Sequence, residues 1–337
     1  MTYREIIETA KDCMGLCKAC PVCNGRVCKN TMPGPGAKGI GDVAIRNYDA
    51  WQNIRLNMDT ICSNTDVDTS FELFGKQFKY PIFAGPVGAI QLHYSDKYTE
   101  EAYNDILVKS CAAAGIAAFT GDGVNPNVMI AATAMIKKQQ GVGIPTVKPW
   151  NMDVIREKMK LVADSQAFAV AMDVDAAGLP FLKNLTPKAG SKTVEELKQI
   201  KEIAQKPFII KGIMTVKGAQ KAVEAGADAI IVSNHGGRVL DQCPATAEVL
   251  PEIADAVKGK IKILVDGGIR TGTDILKALA LGADGVVIAR PFVVAVYGGG
   301  EAGVISYATQ LGTELEDAMT MCGVHSLQEI NRDIVRM

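Results

Sequence analysis

The chain has 337 residues, 48% of them apolar and 22% charged. That length allows two domains or one large α/β barrel with an appendage, and that composition supports a large core and excludes long disorder. With 36 Lys and Arg against 37 Asp and Glu the net charge is −1, without the basic excess of a nucleic-acid binder. No apolar run approaches the roughly 18 residues that span a bilayer, and the polar start Met1-Thr-Tyr-Arg-Glu5 is unlike a signal peptide. A cytoplasmic protein with neither membrane nor nucleic-acid partners is expected.

The N-terminal stretch is set apart by its thiols. Five of the nine cysteines, Cys13, Cys17, Cys20, Cys23 and Cys28, fall within it. Closely spaced thiols without a secretory signal point to soft-metal ligation, either a structural zinc or an iron–sulfur cluster. The spacing matches neither common template closely, and a reduced arm or a redox disulfide is the alternative. Five thiols also leave at least one spare at a four-coordinate site. Cys62, Cys111, Cys243 and Cys322 are scattered and read as small buried hydrophobes. The Gly/Pro-rich residues 32–41 that follow are expected to form a loop. Residues 1–41 are therefore assigned to a cysteine-rich arm and its loop, and 42–337 to a barrel with its leading segment and C-terminal helices.

From residue 80 the pattern repeats. Apolar runs at 81–87, 116–120, 144–149, 167–174, 207–211, 229–233, 261–266 and 285–289 each end in Gly or polar residues, and helical stretches lie between them. Runs that are apolar throughout belong to parallel strands buried on both faces. Segments 194–204 and 245–257 carry helical spacing. Lys221-Ala-Val-Glu-Ala-Gly-Ala-Asp-Ala-Ile-Ile-Val232 recurs as Lys277-Ala-Leu-Ala-Leu-Gly-Ala-Asp-Gly-Val-Val-Ile288, a helix end, a Gly turn and a strand. Eight such units close into a (β/α)8 TIM barrel. A doubly wound sheet is the runner-up, but its Gly-rich fingerprint is missing. Residues 302–321 and 326–335 are expected to form C-terminal helices.

In such a barrel the chemistry sits at the C-terminal strand ends. In strand order these are Gly85-Pro-Val-Gly88, Thr120-Gly-Asp-Gly123, Lys148-Pro-Trp150, Asp173-Val-Asp175, Lys211-Gly212, Ser233-Asn-His-Gly-Gly-Arg238, Asp266-Gly-Gly-Ile-Arg270 and Ala289-Arg-Pro291. Gly267 and Gly268 with Arg270, Arg290 and a helix starting near Thr271 read as a phosphate cradle. His235 is the acid–base candidate and Asp175 its orienting carboxylate. Arg238 suits a substrate carboxylate, and Lys211 the ring of a reduced cofactor. His93 and His325 lack such company and read as structural or solvent-facing.

The 233–241 segment SNHGGRVLD, the 265–284 segment that opens VDGGIRTGTD, and Ala289-Arg-Pro291 together resemble the FMN-dependent α-hydroxy-acid oxidase and dehydrogenase family, which includes glycolate oxidase and lactate oxidase. The likeness is strong over 207–330, weaker over 80–175 and absent from the cysteine arm. It implies a TIM barrel with FMN at its mouth, oxidation of a small 2-hydroxy acid to the 2-oxo acid, and a homotetramer or octamer. It further implies that His235 takes the substrate proton with Asp175 behind it, and that Arg238 binds the carboxylate. Lys211 and Ser233 would lie against the flavin, with Asp266 on the ribityl chain and Gly268, Arg270 and Arg290 on the phosphate. Ala84, Gly85, Pro86, Val87 and Gly88 would pass behind the ring, and Thr120, Gly267 and Ala289 complete the cofactor set.

The sequence departs from that family in four places. No second arginine follows Asp175 within 176–182, and no tyrosine stands in 32–41. Lys148 stands at the third strand end in place of a tyrosine, where it would meet either the substrate or the flavin, and Asp173 replaces a flavin-side threonine. A related FMN enzyme with another substrate, such as a reductase or a type 2 isopentenyl-diphosphate isomerase, is one alternative, although His235 and Arg238 argue against the isomerase. A flavin redox sensor read out by the cysteine arm is another. A cysteine-ligated cluster would also offer reduced flavin an electron outlet other than oxygen.

Overall fold

The eight apolar runs become strands because each is short, rich in Val, Ile and Ala, and punctuated by Gly or a capped helix start. The computed structural model describes residues 1–186 and 188–337. Ahead of the barrel lie α1 (Tyr3–Lys11), α2 (Asp42–Asn53), β1 (Arg55–Leu56) and a hairpin of β2 (Phe71–Leu73) and β3 (Lys76–Phe78). The barrel strands are β4 (Ile82–Ala84), β5 (Ala117–Thr120), β6 (Ile144–Val147), β7 (Val170–Asp173), β8 (Phe208–Ile213), β9 (Ala229–Val232), β10 (Lys262–Asp266) and β11 (Gly285–Ile288). All pair in parallel, and β11 pairs with β4 to close the barrel. Helices α3 (Ile90–His93), α4 (Glu100–Ala113), α5 (Pro126–Lys138), α6 (Met152–Asp164), α7 (Pro180–Lys183), α8 (Val194–Ala204), α9 (Val216–Glu224), α10 (Thr246–Val257) and α11 (Gly272–Ala280) connect them. The chain finishes with α12 (Arg290–Met321) and β12 (Val335–Arg336). No helix among the described residues is long and apolar enough to cross a membrane.

The internal repeat has a mechanical reason. Asp228 accepts the Phe208 N–H at 2.7 Å, and Asp284 accepts the Ile263 N–H at 2.8 Å. Each repeated Asp therefore satisfies a backbone donor at the start of the neighbouring strand and fixes its register. The preceding glycines, Gly226 at φ +78° and Gly282 at φ +110°, make turns that a side chain would strain.

The barrel interior is filled from its N-terminal end. Phe83 meets Phe78 of the hairpin with ring centroids 5.3 Å apart and Phe119 at 5.8 Å, both edge-on. Ile209, Ile231, Leu264 and Val287 complete this buried cluster. With that end plugged, only the C-terminal strand ends are left to form a mouth.

Two expectations are corrected. Residues 326–335 are not a helix: they run as turns into a short 3-10 turn at Arg332–Ile334, and β12 then pairs antiparallel with β1. The helix-like spacing of Leu327, Ile330 and Ile334 arises from packing on the barrel surface, while the backbone of Val335 and Arg336 finds its partners in β1. The arm, in turn, holds an unanticipated helix. A reciprocal capping box between Thr2 and Glu5 starts α1, and its buried face of Ile6, Ile7 and Ala10 rests on α12 where Gly298 leaves room for the Ile6 carbonyl. Tyr3 stacks on Tyr307 at 4.3 Å. Of the scattered thiols, Cys111 and Cys322 are buried as expected, Cys243 is half-buried, and Cys62 is exposed. None of the nine cysteines is in a disulfide.

Truncating the ring that joins plug to barrel tests this packing. Phe83→Ala should lose about 3–5 kcal/mol of stability in chemical denaturation, and a loss below about 1 kcal/mol would show that the plug is incidental.

Candidate active site

The strand ends bring the predicted residues into one buried charge cluster. Lys211, at the end of β8, places its ammonium 2.9 Å from Ser233 Oγ, 3.5 Å from Asp175 Oδ2 and 3.6 Å from Asp266 Oδ2. Ser233 Oγ also accepts the His235 N–H at 3.1 Å. His235 directs Nδ1 at Asp175 Oδ1, 3.0 Å away. His235 itself sits at φ +55° and is followed by Gly236 and Gly237, both also at positive φ. This tight left-handed turn at the end of β9 aims the imidazole inward, which explains the glycines of the motif.

The electrostatics follow from burial among charges. Burial opposes ionisation of Asp175, but the Lys211 ammonium and His235 outweigh it and hold the carboxyl down at about 2. Burial also lowers the pKa of His235, with Lys211 acting in the same direction and Asp175 opposing. The imidazole is therefore neutral near pH 7. For Lys211, Asp175, Asp266 and Asp173 overcome the burial penalty and raise its pKa. Since Nδ1 faces a carboxylate it carries the proton, which leaves Nε2 as a free acceptor.

Two of the departures noted in the sequence explain each other. Lys148 Nζ lies 3.2 Å from Asp173 Oδ2, and both side chains are almost wholly buried. The extra carboxylate is matched by the extra ammonium, so Lys148 does not bring an unpaired charge to the mouth.

Arg238 donates from Nη1 to the carbonyls of Gly34 at 2.6 Å and Gly36 at 2.8 Å, tying the Gly/Pro loop over the mouth. Arg290 donates to Gly236 O at 2.7 Å, and Arg270 to Cys23 O at 2.8 Å. The segment 84–88 leaves β4 beside Ala289. Gly85 donates to Ile288 O at 2.8 Å, and a Cβ on it would press on Ala289. Gly267 at φ +90° and Gly268 at φ +85° are needed for a reason the sequence did not reveal: α2 passes directly over them, and a Cβ on Gly268 would collide with the Asn47 carbonyl. The N-terminus of α11 is less free than expected. Gly272 N–H goes to Glu314, Asp274 N–H to Thr271, and Arg270 N–H to Asp274.

Four residues without a role assigned from sequence hold the parts of the site together. His93, read as structural or solvent-facing, holds the Gly/Pro loop within range of the site's charges. Its Nδ1 accepts the Gly34 N–H at 3.1 Å, and burial together with the nearby charges of Arg238, Lys148 and His235 lowers its pKa to about 4. The four-residue helix α3 carries it back over the mouth, a placement that no local pattern announces. Asp122 is buried and accepts from Trp150 Nε1 at 2.6 Å, Lys158 Nζ at 2.6 Å and Lys148 N at 3.1 Å, fixing the end of β6. Asn47 and Asn234 exchange hydrogen bonds at 2.7 and 2.9 Å and lock α2 to β9.

Comparison with known proteins places this arrangement in a class. The FMN-dependent dehydrogenase family matches residues 35–185 and 181–337, and the chain belongs to that family. A 2-hydroxyacid oxidase of Dictyostelium discoideum is 48% identical over 145 residues, covering 43% of this chain and 37% of that protein. An L-lactate dehydrogenase of Yersinia pestis (strain Pestoides F) is 52% identical over 139 residues, covering 41% and 36%. The chain thus spans just over a third of the length of the curated relatives it matches. Among solved structures, a mandelate oxidase variant with 2-hydroxy-phenylacetamide superposes with a TM-score of 0.80 at 25% identity over 99% of this chain and 97% of that one. A flavocytochrome b2 variant with sulfite bound gives 0.79 at 25% over 90% and 81%. The cysteines 13–28 lie outside the family match.

The residues present fit FMN. Thr120 Oγ1, Thr146 Oγ1, Asp173 Oδ1 and Asp266 Oδ1 are buried at the strand ends without hydrogen-bond partners among the described residues, the condition of groups that await a polar ligand.

The charge pair can be tested directly. Lys148→Met leaves Asp173 buried and unpaired, and should lower stability by about 3–5 kcal/mol in denaturant titration. Lys148→Met with Asp173→Thr should recover most of that loss; no recovery would mean that the two residues act separately.

Proposed function

We propose that the protein oxidises a small 2-hydroxy acid to the corresponding 2-oxo acid with FMN as electron acceptor. The observation that carries this reading is the neutral His235, buried against Asp175 with Arg238 three residues along the same strand end. When bound, FMN supplies the two-electron acceptor. Lys211, Ser233, Asp266, Thr120, Asp173 and the 84–88 segment are the residues proposed to hold its ring and ribityl chain. Gly268, Arg270, Ala289 and Arg290 are those proposed for its phosphate.

In this reading Arg238 binds the substrate carboxylate through Nε and Nη2, the donors not committed to Gly34 and Gly36. His235 Nε2 then takes a proton from the substrate. Asp175 is already ionised and 3.0 Å from Nδ1, so it stabilises the imidazolium as it forms and keeps the ring oriented. Lys211 contributes the fixed positive charge that favours negative charge building beside it. The Gly/Pro loop, clamped by Arg238 and His93, shields the mouth from water. The names of the relatives support the substrate class. The missing second arginine and the paired state of Lys148 favour a 2-hydroxy acid with a single carboxylate to anchor. Tetrameric or octameric assembly, also carried by the resemblance, is read by sedimentation.

Anaerobic mixing with a panel of 2-hydroxy acids should bleach the flavin absorption, and Arg238→Met should raise the KM for the active acid about tenfold to a hundredfold. Retained flavin that no 2-hydroxy acid bleaches would favour a flavin enzyme with another substrate. The pH profile gives a second check. The neutral imidazole is the active form, so kcat/KM should rise with pH through a transition below the ordinary histidine value of 6.5. Asp175 raises the His235 pKa, so Asp175→Asn should shift that acid limb lower while cutting kcat by about 10²–10⁴-fold. An upward shift, or a loss under tenfold, would remove Asp175 from the proposed role.

A further inference from the structure

The cysteine arm is not a loose appendage. It is packed against the phosphate end of the candidate cofactor site, and it separates its five thiols into one and four. Cys13 is turned away, its Sγ 3.3 Å from Tyr297 O and 3.4 Å from Lys97 Nζ. The other four converge. Cys23 lies within electrostatic range of Cys17, Cys20 and Cys28, and Cys17 is in range of Cys20 and Cys28 as well. All four are half-buried and in no disulfide, in a segment of irregular turns where Gly25 at φ +81° packs its backbone onto Ala44 of α2.

From this arrangement we infer that Cys17, Cys20, Cys23 and Cys28 are the ligands of an iron–sulfur cluster and that Cys13 is not among them. The choice of a cluster over zinc rests on spacing. Tetrahedral zinc with Zn–S bonds of about 2.3 Å draws its sulfurs to within about 3.8 Å of one another. Among the described residues no three cysteine sulfurs lie within 4.8 Å of each other. An iron–sulfur cluster divides its four thiolates over two or four irons and holds them farther apart.

The surroundings suit a net negative cluster. Arg270 donates from Nε to Cys23 O at 2.8 Å and directs Nη2 at Cys23 Sγ, 3.7 Å away. N–H donors aimed at a ligating sulfur are the outer-shell contacts that stabilise such centres. Arg270 is also a residue proposed above for the cofactor phosphate, so a single side chain joins the arm to that site. The cluster assignment stands on the thiols alone and does not require the flavin reading.

The test uses the full chain produced and purified without oxygen. Iron, zinc, acid-labile sulfide and flavin are measured per chain, with electron paramagnetic resonance after dithionite reduction. Iron and sulfide are expected in equal amounts, roughly two to four of each per chain, with a paramagnetic signal on reduction. Serine replacement at Cys17, Cys20, Cys23 or Cys28 should remove most of the iron, and Cys13→Ser should keep it. If the four variants fail to fold by circular dichroism, the wild-type metal content and Cys13→Ser still decide. About one zinc per chain without sulfide would overturn the cluster. So would a wild-type protein that takes up no iron during anaerobic reconstitution with ferrous iron and sulfide. Iron lost as fully from Cys13→Ser as from Cys23→Ser would overturn the ligand assignment. Flavin content, measured separately, distinguishes failure here from failure of the proposed activity.

Discussion

One buried ammonium group organises the mouth of the barrel. Lys211 Nζ stands among Asp175, Asp266 and Asp173, and a carboxylate taken out of water survives in its charged form only beside such a partner. Because Asp175 stays ionised, His235 is fixed in one tautomer. Because the imidazole is buried and the ammonium is close, it stays neutral, with Nε2 left as the acceptor. The acid–base character of the site is therefore set by a residue that need not exchange a proton itself.

Two ammonium groups, Lys148 and Lys211, face three carboxylates at these strand ends. Two of the departures from the family pattern, Lys148 and Asp173, form one buried ion pair. A lone carboxylate in place of a threonine would carry the full cost of burial, and a lone lysine would be pushed toward deprotonation. Side by side they balance each other's charge on one wall, and Asp173 also adds to the negative field that raises the pKa of Lys211 against the burial penalty.

The second constraint is steric and comes from outside the barrel. Helix α2 lies directly on Gly267 and Gly268, Trp51 donates to Gly267 O at 2.8 Å, and Asn47 locks onto Asn234. The glycines read as a phosphate cradle are thus equally the floor on which α2 rests. Through α2 and Arg270 the cysteine arm is held against the strand ends. Segments distant in sequence share one wall, and the arm is tied to the chemistry by packing.

The barrel was legible from sequence because its signals are local. Continuous apolar runs between capped helices mark parallel strands, and the repeated Gly-Ala-Asp corners mark the unit, since each Asp satisfies a backbone donor at the start of the preceding strand. His235, Arg238, Asp175 and Lys211 were legible because strand ends of a barrel converge wherever their side chains begin. Residues placed by long-range contact left no such trace: His93 reaches the mouth from α3, Asp122 gathers three donors from other segments, and residues 326–334 run as turns that deliver Val335 and Arg336 to β1. The sequence by itself determined which residues could hold charge at the mouth and which thiols could bind metal. Only the tertiary structure decided that Lys148 is spoken for by Asp173 and that Cys13 stands apart from the other four, because pairing and exclusion depend on distances that chain order does not contain.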